Sequence, residues 1–181
     1  MIDELIYVLK KSEIFEIVFS FLKTSEIPNW FISGGFIQQI YFNFKHGFDL
    51  HTGIKDIDVV FFNQLDLSKS YERDAESVLM ALLPSSLIVP DVKNQANSKF
   101  GYKMNPYRDI FEAIDSFPTT TTAIGVRGTE NSLFVYAPFG LYDLDNMILR
   151  PNKKQITKKE VYEKKKNRIK KIWSKVKIIE W

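Results

Sequence analysis

Apolar residues recur every three or four positions over residues 2–11 and again over 13–24, the period of helices with one buried face, and Ser12 stands where the second would be capped. Pro28 stops that pattern, and Asn29–Ser33 (NWFIS) reads as a strand. Gly34-Gly35 then makes a tight turn into a helix over 36–44, whose broad apolar face carries Phe36, Ile37, Ile40, Tyr41 and Phe44. A loop containing Gly47 and Gly53 leads to a second strand, Asp56–Phe62, and a helix over 71–83 follows, closed by Pro84. Residues 86–95 (SLIVPDVKNQ) read as a third strand in which Pro90, lacking an amide hydrogen, demands an edge or a bulge.

Residues 106–117 pattern as a short helix with Pro106 near its start. Segments 121–128 and 132–139 alternate as a hairpin around a turn at Gly128, and 141–149 read as a short helix. A Lys-rich amphipathic helix over 153–177 finishes the chain, with Val161, Tyr162, Ile169, Ile172, Trp173 and Val176 on its docking side. Helices and strands mix without a strand-helix-strand rhythm. The expected fold class is therefore α+β, a mixed sheet of about five strands with flanking helices.

At 181 residues the chain fits one domain able to bury about 70% of the surface its unfolded form exposes. Its 15 Phe and 8 Tyr supply an aromatic core. The absence of cysteine excludes disulfides and thiolate metal sites, so a metal would be held by oxygen or by the two histidines, which favours a hard cation such as Mg2+. The apolar run Ile14–Leu22 is interrupted by Glu16 and is too short and charged to be exported or to span a bilayer, so a cytoplasmic protein without membrane association is expected. Charge is segregated: residues 151–181 hold 12 Lys+Arg against 3 Asp+Glu, while the whole chain is only +3. An acidic body thus carries a basic tail, whose charged face is either merely solvated or drawn to a phosphate-rich partner such as RNA.

Candidate chemistry begins at Lys55–Phe62, KDIDVVFF. On an extended strand Asp56 and Asp58 share one face while Ile57 and Val59 point the other way. Two like charges at the border of a core repel and lose hydration unless a cation or donors intervene. A solvated strand end paired with Lys55 or Lys93 would satisfy them; so would Mg2+, since carboxylates on one strand face can bridge two such ions. Ser33-Gly34-Gly35, between strand and helix, allows close backbone approach, and the first-turn amides with the positive end of the helix dipole suit a phosphate. The return from helix to neighbouring strand brings turn and carboxylates to one end of the sheet. Asp91, flanked by Val89 and Val92 on a separate strand, is the third carboxylate, with Lys93 as its plain alternative partner. Arg127 is a candidate phosphate ligand, whereas Thr119–Thr122 fit strand propensity and turn capping, and His46 and His51 fit solvated loop roles.

The blocks SGGFIQQ, KDIDVVFF, PDVKNQ, FPTTTTAIGVR and YAPFGLYDL together resemble the bacterial nucleotidyltransferase-like proteins of the DNA polymerase beta superfamily, from Trp30 to Tyr162. Among better-understood relatives the pattern is similar to the head domains of CCA-adding enzymes, which carry a Gly-Gly turn followed by a Lys-Asp-x-Asp strand. The resemblance implies a single polymerase beta-like nucleotidyltransferase domain over 1–181, with N-terminal helices in 1–27, a catalytic core in 28–150 and the basic helix in 151–181. It implies an enzyme that moves a nucleoside monophosphate from an NTP to an acceptor hydroxyl on a small molecule, protein or RNA, using Mg2+ or Mn2+. Asp56, Asp58 and Asp91 would be the metal ligands and catalytic residues, with Asp91 also helping to deprotonate the acceptor. Ser33, Gly34, Gly35, Lys93 and Arg127 would bind the nucleotide. The alternative is a nucleotide- or RNA-binding module with the same fold and little or no turnover. Where the CCA-adding pattern has Arg-Asp after its glycines, this chain has Gln38-Gln39, and the domains that hold tRNA are missing, so CCA addition itself is not expected.

Overall fold

The computed structural model describes residues 1–84, 87–97, 106–129, 132–153 and 159–181. Helices α1 (Ile2–Lys10) and α2 (Glu13–Thr24) open the chain, and the Ser12 hydroxyl caps α2 by accepting from the Phe15 amide at 3.2 Å. Strand β1 (Phe31–Ser33) runs directly into α3 (Gly34–His46), followed by β2 (Asp56–Phe61), α4 (Ser70–Leu82) and β3 (Val89–Asn94). Then come α5 (Ile110–Asp115), the hairpin β4 (Gly125–Gly128) and β5 (Leu133–Tyr136), α6 (Tyr142–Asp145), β6 (Ile148–Leu149), α7 (Lys159–Ile172) and β7 (Lys177–Ile178).

Five strands form one mixed sheet in the order β3-β2-β1-β4-β5. Only the β2–β3 pair is parallel, joined through α4; the other neighbours are antiparallel. The α+β expectation holds. On one face Ile32, Ile57, Val59, Phe61, Val92 and Val126 pack into the main core with the buried sides of α1, α2 and α3. On the other, Phe31 and Val60 join Ile110 and Ile114 of α5 in a smaller cluster at one end, and the polar residues of β1, β2 and β3 occupy the rest.

Pro90 does mark an edge. The outward amides that remain on β3 are capped by α4: Val92 donates to Glu76 Oε1 at 3.0 Å and Asn94 to Glu72 Oε1 at 2.9 Å. Pro90 has no amide to satisfy, so the three outward positions are accounted for without another strand.

Several boundaries differ from the periodicity reading. The threonine run is not strand: Thr119–Thr122 close a buried turn, with Thr122 and Ala123 amides donating to Thr119 O at 3.1 and 3.0 Å, and β4 starts only at Gly125. The helix expected over 141–149 ends at Asp145, because Met147 turns left-handed (φ 50) and the next residues pair with β7. The C-terminal helix stops at Ile172 rather than Lys177 for the same reason: Lys177 donates to Met147 O at 2.8 Å and Ile179 to Leu149 O at 2.9 Å, a long-range pairing invisible to local period. Pro106 precedes α5 without starting it; Asp109 caps that helix by accepting from Glu112 N at 2.8 Å. Ser86 of the third strand, Glu130 and Asn131 of the hairpin turn, and 154–158 of the basic helix lie outside the described residues.

Candidate active site

The strand-turn-helix junction of β1 and α3 is built around glycine. Gly34 sits at φ +69, a conformation side chains rarely adopt, and a Cβ there would lie 2.5 Å from Asp58 Oδ2. With that space open, Asp58 tucks against the turn and its Oδ2 accepts from the Gly35 amide at 2.7 Å. The Gly34 amide donates to Ile124 O at 3.1 Å, so both glycine amides are engaged, one holding the turn to the chain before β4 and the other holding Asp58. Ser33, fully buried, directs its hydroxyl to Asp58 O at 3.5 Å.

Register fixes the remaining acids. Ser33 pairs with Asp58 across β1–β2, and Asp58 pairs with Asp91 across the parallel β2–β3 ladder. Residues in register share a face, so Asp56, Asp58 and Asp91 lie on the same side of the sheet, at the end where α3 begins. The glycine turn and the carboxylates meet there, as their order in the chain suggested.

The cations gathered at this end come partly from an unexpected source. Lys93, two residues beyond Asp91, holds Asp91 Oδ1 at 2.7 Å and Glu76 Oε1 at 3.3 Å. The others project from α7. Arg168 reaches to 3.9 Å from Asp56 Oδ1 and donates to Gln39 Oε1 at 2.8 Å, while Gln39 Nε2 donates to Gly35 O at 2.8 Å. Lys165 extends to the same turn, its Nζ 3.7 Å from where a Gly35 Cβ would stand. Loss of hydration pushes the Asp58 carboxyl up to about 6, with Asp56 and Asp91 adding to the rise and Lys165 and the Gly35 amide opposing it. The Lys165 ammonium is shifted down by the same loss of hydration, only partly offset by Asp58.

Arg127 stands apart from this group. It lies on the same face but pairs beyond the glycine turn, its guanidinium 4.9 Å from the Phe31 ring centre and 5.7 Å from that of Phe134. There it lines a cavity of about 370 Å³ with Trp30 and Asn29. The two histidines have structural work: His51 Nε2 bonds Ser12 Oγ at 2.9 Å, and His46 accepts from the Lys175 amide at 3.1 Å.

The raised affinity of Asp58 for a proton comes chiefly from loss of hydration, with Asp56 and Asp91 adding to it, and the three aspartates offer the hard oxygen donors that suit Mg2+. In that sense the donor set fits a divalent cation. Among the described residues, though, no three Asp, Glu or His side chains are gathered tightly enough to cage an ion by themselves. Lys93 holds Asp91, and Arg168 leans on Asp56.

A family model described as a nucleotidyltransferase matches residues 20–178. The chain belongs to that nucleotidyltransferase family. No curated protein matches it. A solved NMR structure described as revealing a CCA-adding enzyme head domain superposes with a TM-score of 0.80 at 22% identity, covering 99% of this chain and 96% of that one. That likeness shows the fold of this nucleotidyltransferase, a mixed five-stranded sheet with flanking helices like that of a CCA-adding enzyme head domain, and says nothing of its substrates. The family match takes in α7 as well as the sheet, so the helix that carries Lys165 and Arg168 is part of the family's pattern.

Sequence reasoning missed Lys165, Arg168 and Gln39. The first two lie more than a hundred residues from the strands they approach, and their one signal was the basic tail on an acidic body. Gln39 read only as a departure from the Arg-Asp pattern; here it ties Arg168 to the glycine turn.

Proposed function

We propose that this nucleotidyltransferase transfers a nucleoside monophosphate from an NTP to an acceptor hydroxyl, with Mg2+ or Mn2+ held by Asp56, Asp58 and Asp91. The observation that carries the reading is the locked turn: Asp58 bonded at 2.7 Å beneath Gly35, with Asp56 on its own strand face and Asp91 in register beside it. Bound divalent metal supplies charge neutralisation for the phosphoryl group and the departing pyrophosphate. The chain's own residues position and move the proton. Asp91, half exposed, is accessible to an acceptor and takes the hydroxyl proton as the acceptor oxygen bonds to Pα and the Pα–O bond to the β-phosphate breaks. Lys93 beside it balances charge, the Ser33-Gly34-Gly35 turn brings the start of α3 against the phosphates, and Arg127 contacts the nucleotide from its own cavity.

Pyrophosphate release from each NTP with Mg2+ or Mn2+, over an acceptor panel of small hydroxyl compounds, proteins and RNA, tests this. Release that disappears in Asp58→Ala and Asp91→Ala supports it. The second reading, a nucleotide- or RNA-binding module without turnover, is favoured by one observation: Lys93 and Arg168 already sit against the acids where metal would go. Nucleotide binding without release over the whole panel, and unaffected by either substitution, would establish that reading and overturn the first.

A further inference from the structure

Next to Asp56, on the flank facing α7, lies a cavity of about 420 Å³ lined by Lys55, Lys164, Asn167, Arg168, Lys171 and Ile172. Four of its six lining residues are cationic. Like charges converging on one concavity repel, and among the described residues no carboxylate stands within ion-pair distance of Lys55, Lys164 or Lys171. Arg168 alone has such a neighbour, Asp56, which places the acid face at the cavity's border. The concavity is not an accident of a loose helix. α7 is fixed by Trp173, fully buried, whose indole donates to Asn43 Oδ1 at 2.7 Å, and by the Tyr162 hydroxyl, which donates to Leu149 O at 3.0 Å. The Arg168–Gln39–Gly35 chain then connects the cavity wall to the glycine turn.

We propose that this cavity is a polyphosphate subsite, in which Lys55, Lys164, Arg168 and Lys171 hold a chain of phosphates and Asn167 supplies further hydrogen bonds. Compact ammonium groups on flexible stems suit a multiply charged phosphate chain, the guanidinium can engage it through two donors, and a concavity focuses their combined field. The Gly34 and Gly35 amides are engaged with Ile124 and Asp58, and the cavity offers positive charge close to the turn that these two donors do not supply. The subsite rests on the nucleotidyl-transfer reading for its purpose, because the same chemistry would serve either the triphosphate tail of the donor or a phosphate carried by the acceptor.

Calorimetric titration with inorganic tripolyphosphate, at low and at physiological salt, tests the subsite directly. The variants are Lys164→Ala/Lys171→Ala, both exposed positions, and Asp58→Asn. The intact chain is expected to bind tripolyphosphate more weakly as salt rises, and the double lysine variant, with an unchanged melting temperature, to lose at least about tenfold in affinity. Asp58→Asn should bind it at least as well as the intact chain. Displacement of tripolyphosphate by NTP assigns the cavity to the donor's tail; simultaneous binding of both assigns it to a phosphate on the acceptor. Equal affinity in the double variant, or no binding at low salt, overturns the proposal. Absence of pyrophosphate release with tripolyphosphate binding intact would instead defeat the transfer reading and leave the subsite standing.

Discussion

The two faces of strand β2 differ by one residue of register and by nearly everything else. Ile57, Val59 and Phe61 are fully buried against the main core, while Asp56 and Asp58, alternating with them, face the side where the sheet is only partly covered. The first face needs volume and loss of water; the second needs placed charge. Because side chains alternate strictly, a slip of one residue would bury the acids and expose the aliphatics, so the core face holds the site face in register. The site is unstable by itself and is kept in place by its neighbours: a desolvated carboxylate, two more acids beside it and a glycine in a left-handed turn all cost stability that the opposite face supplies.

The contrast can be broken most completely from the core side. Val59→Asp places an unpaired charge among Ile57, Phe61 and Val92, and is expected to leave the chain unfolded, read as loss of the cooperative melt. Next comes Gly34→Ala, which combines φ +69 with a Cβ 2.5 Å from Asp58 Oδ2. It should cost about 2–3 kcal/mol by denaturant titration and also displace Asp58, so that any transfer activity falls further than stability does.

The site side gives an effect of opposite sign. The folded state holds the Asp58 proton more tightly than the unfolded chain does, with its carboxyl at about 6. The stability this group contributes is therefore complete below the ordinary carboxylate range and is lost as pH rises through about 6. Asp58→Asn, which keeps an oxygen for the Gly35 amide, should stabilise the metal-free protein by about 2 kcal/mol at pH 7.5 and have almost no effect at pH 4. Equal effects at both values would mean that the ionised carboxylate is not the source of the strain. The same logic predicts that added Mg2+ raises the melting temperature more at pH 7.5 than at pH 5, and that Asp58→Asn blunts the difference.

The smallest effect belongs to Lys93→Gln. Its pairs with Asp91 and Glu76 are 43–50% and 31–43% exposed, and partly solvated bridges of this kind contribute under about 1 kcal/mol. A loss well above that would make Lys93 a structural residue of the β3 edge.

How much of this was legible depended on sequence distance. That the acid pair, the glycine turn and Asp91 share one end of the sheet was legible because a strand's period of two and a strand-turn-helix junction are local properties, and a short helical return brings their ends together. Pro90 announced the edge strand, though not the two glutamates of α4 that cap it. The threonine run misled because β-branched residues fit strands on propensity alone, whereas Thr119–Thr122 use their hydroxyls to close a turn: Thr119 Oγ1 and Thr122 Oγ1 lie 2.8 Å apart. The helices over 141–149 and 153–177 were drawn too long because β6 and β7 exist only by pairing with each other.

From the amino acids alone came the faces: which positions of each strand seek water, where glycine lets the backbone turn closely, and that an acidic body carries a basic C-terminal tail. These follow from alternation, helical period and the sterics of a missing Cβ, which need no knowledge of the rest of the molecule. Only the folded chain decided which cations answer the aspartates. Electrostatic partners are chosen by proximity in space, and the docking of Trp173 against Asn43 is what swings Lys165 and Arg168 over a turn that the sequence placed far away.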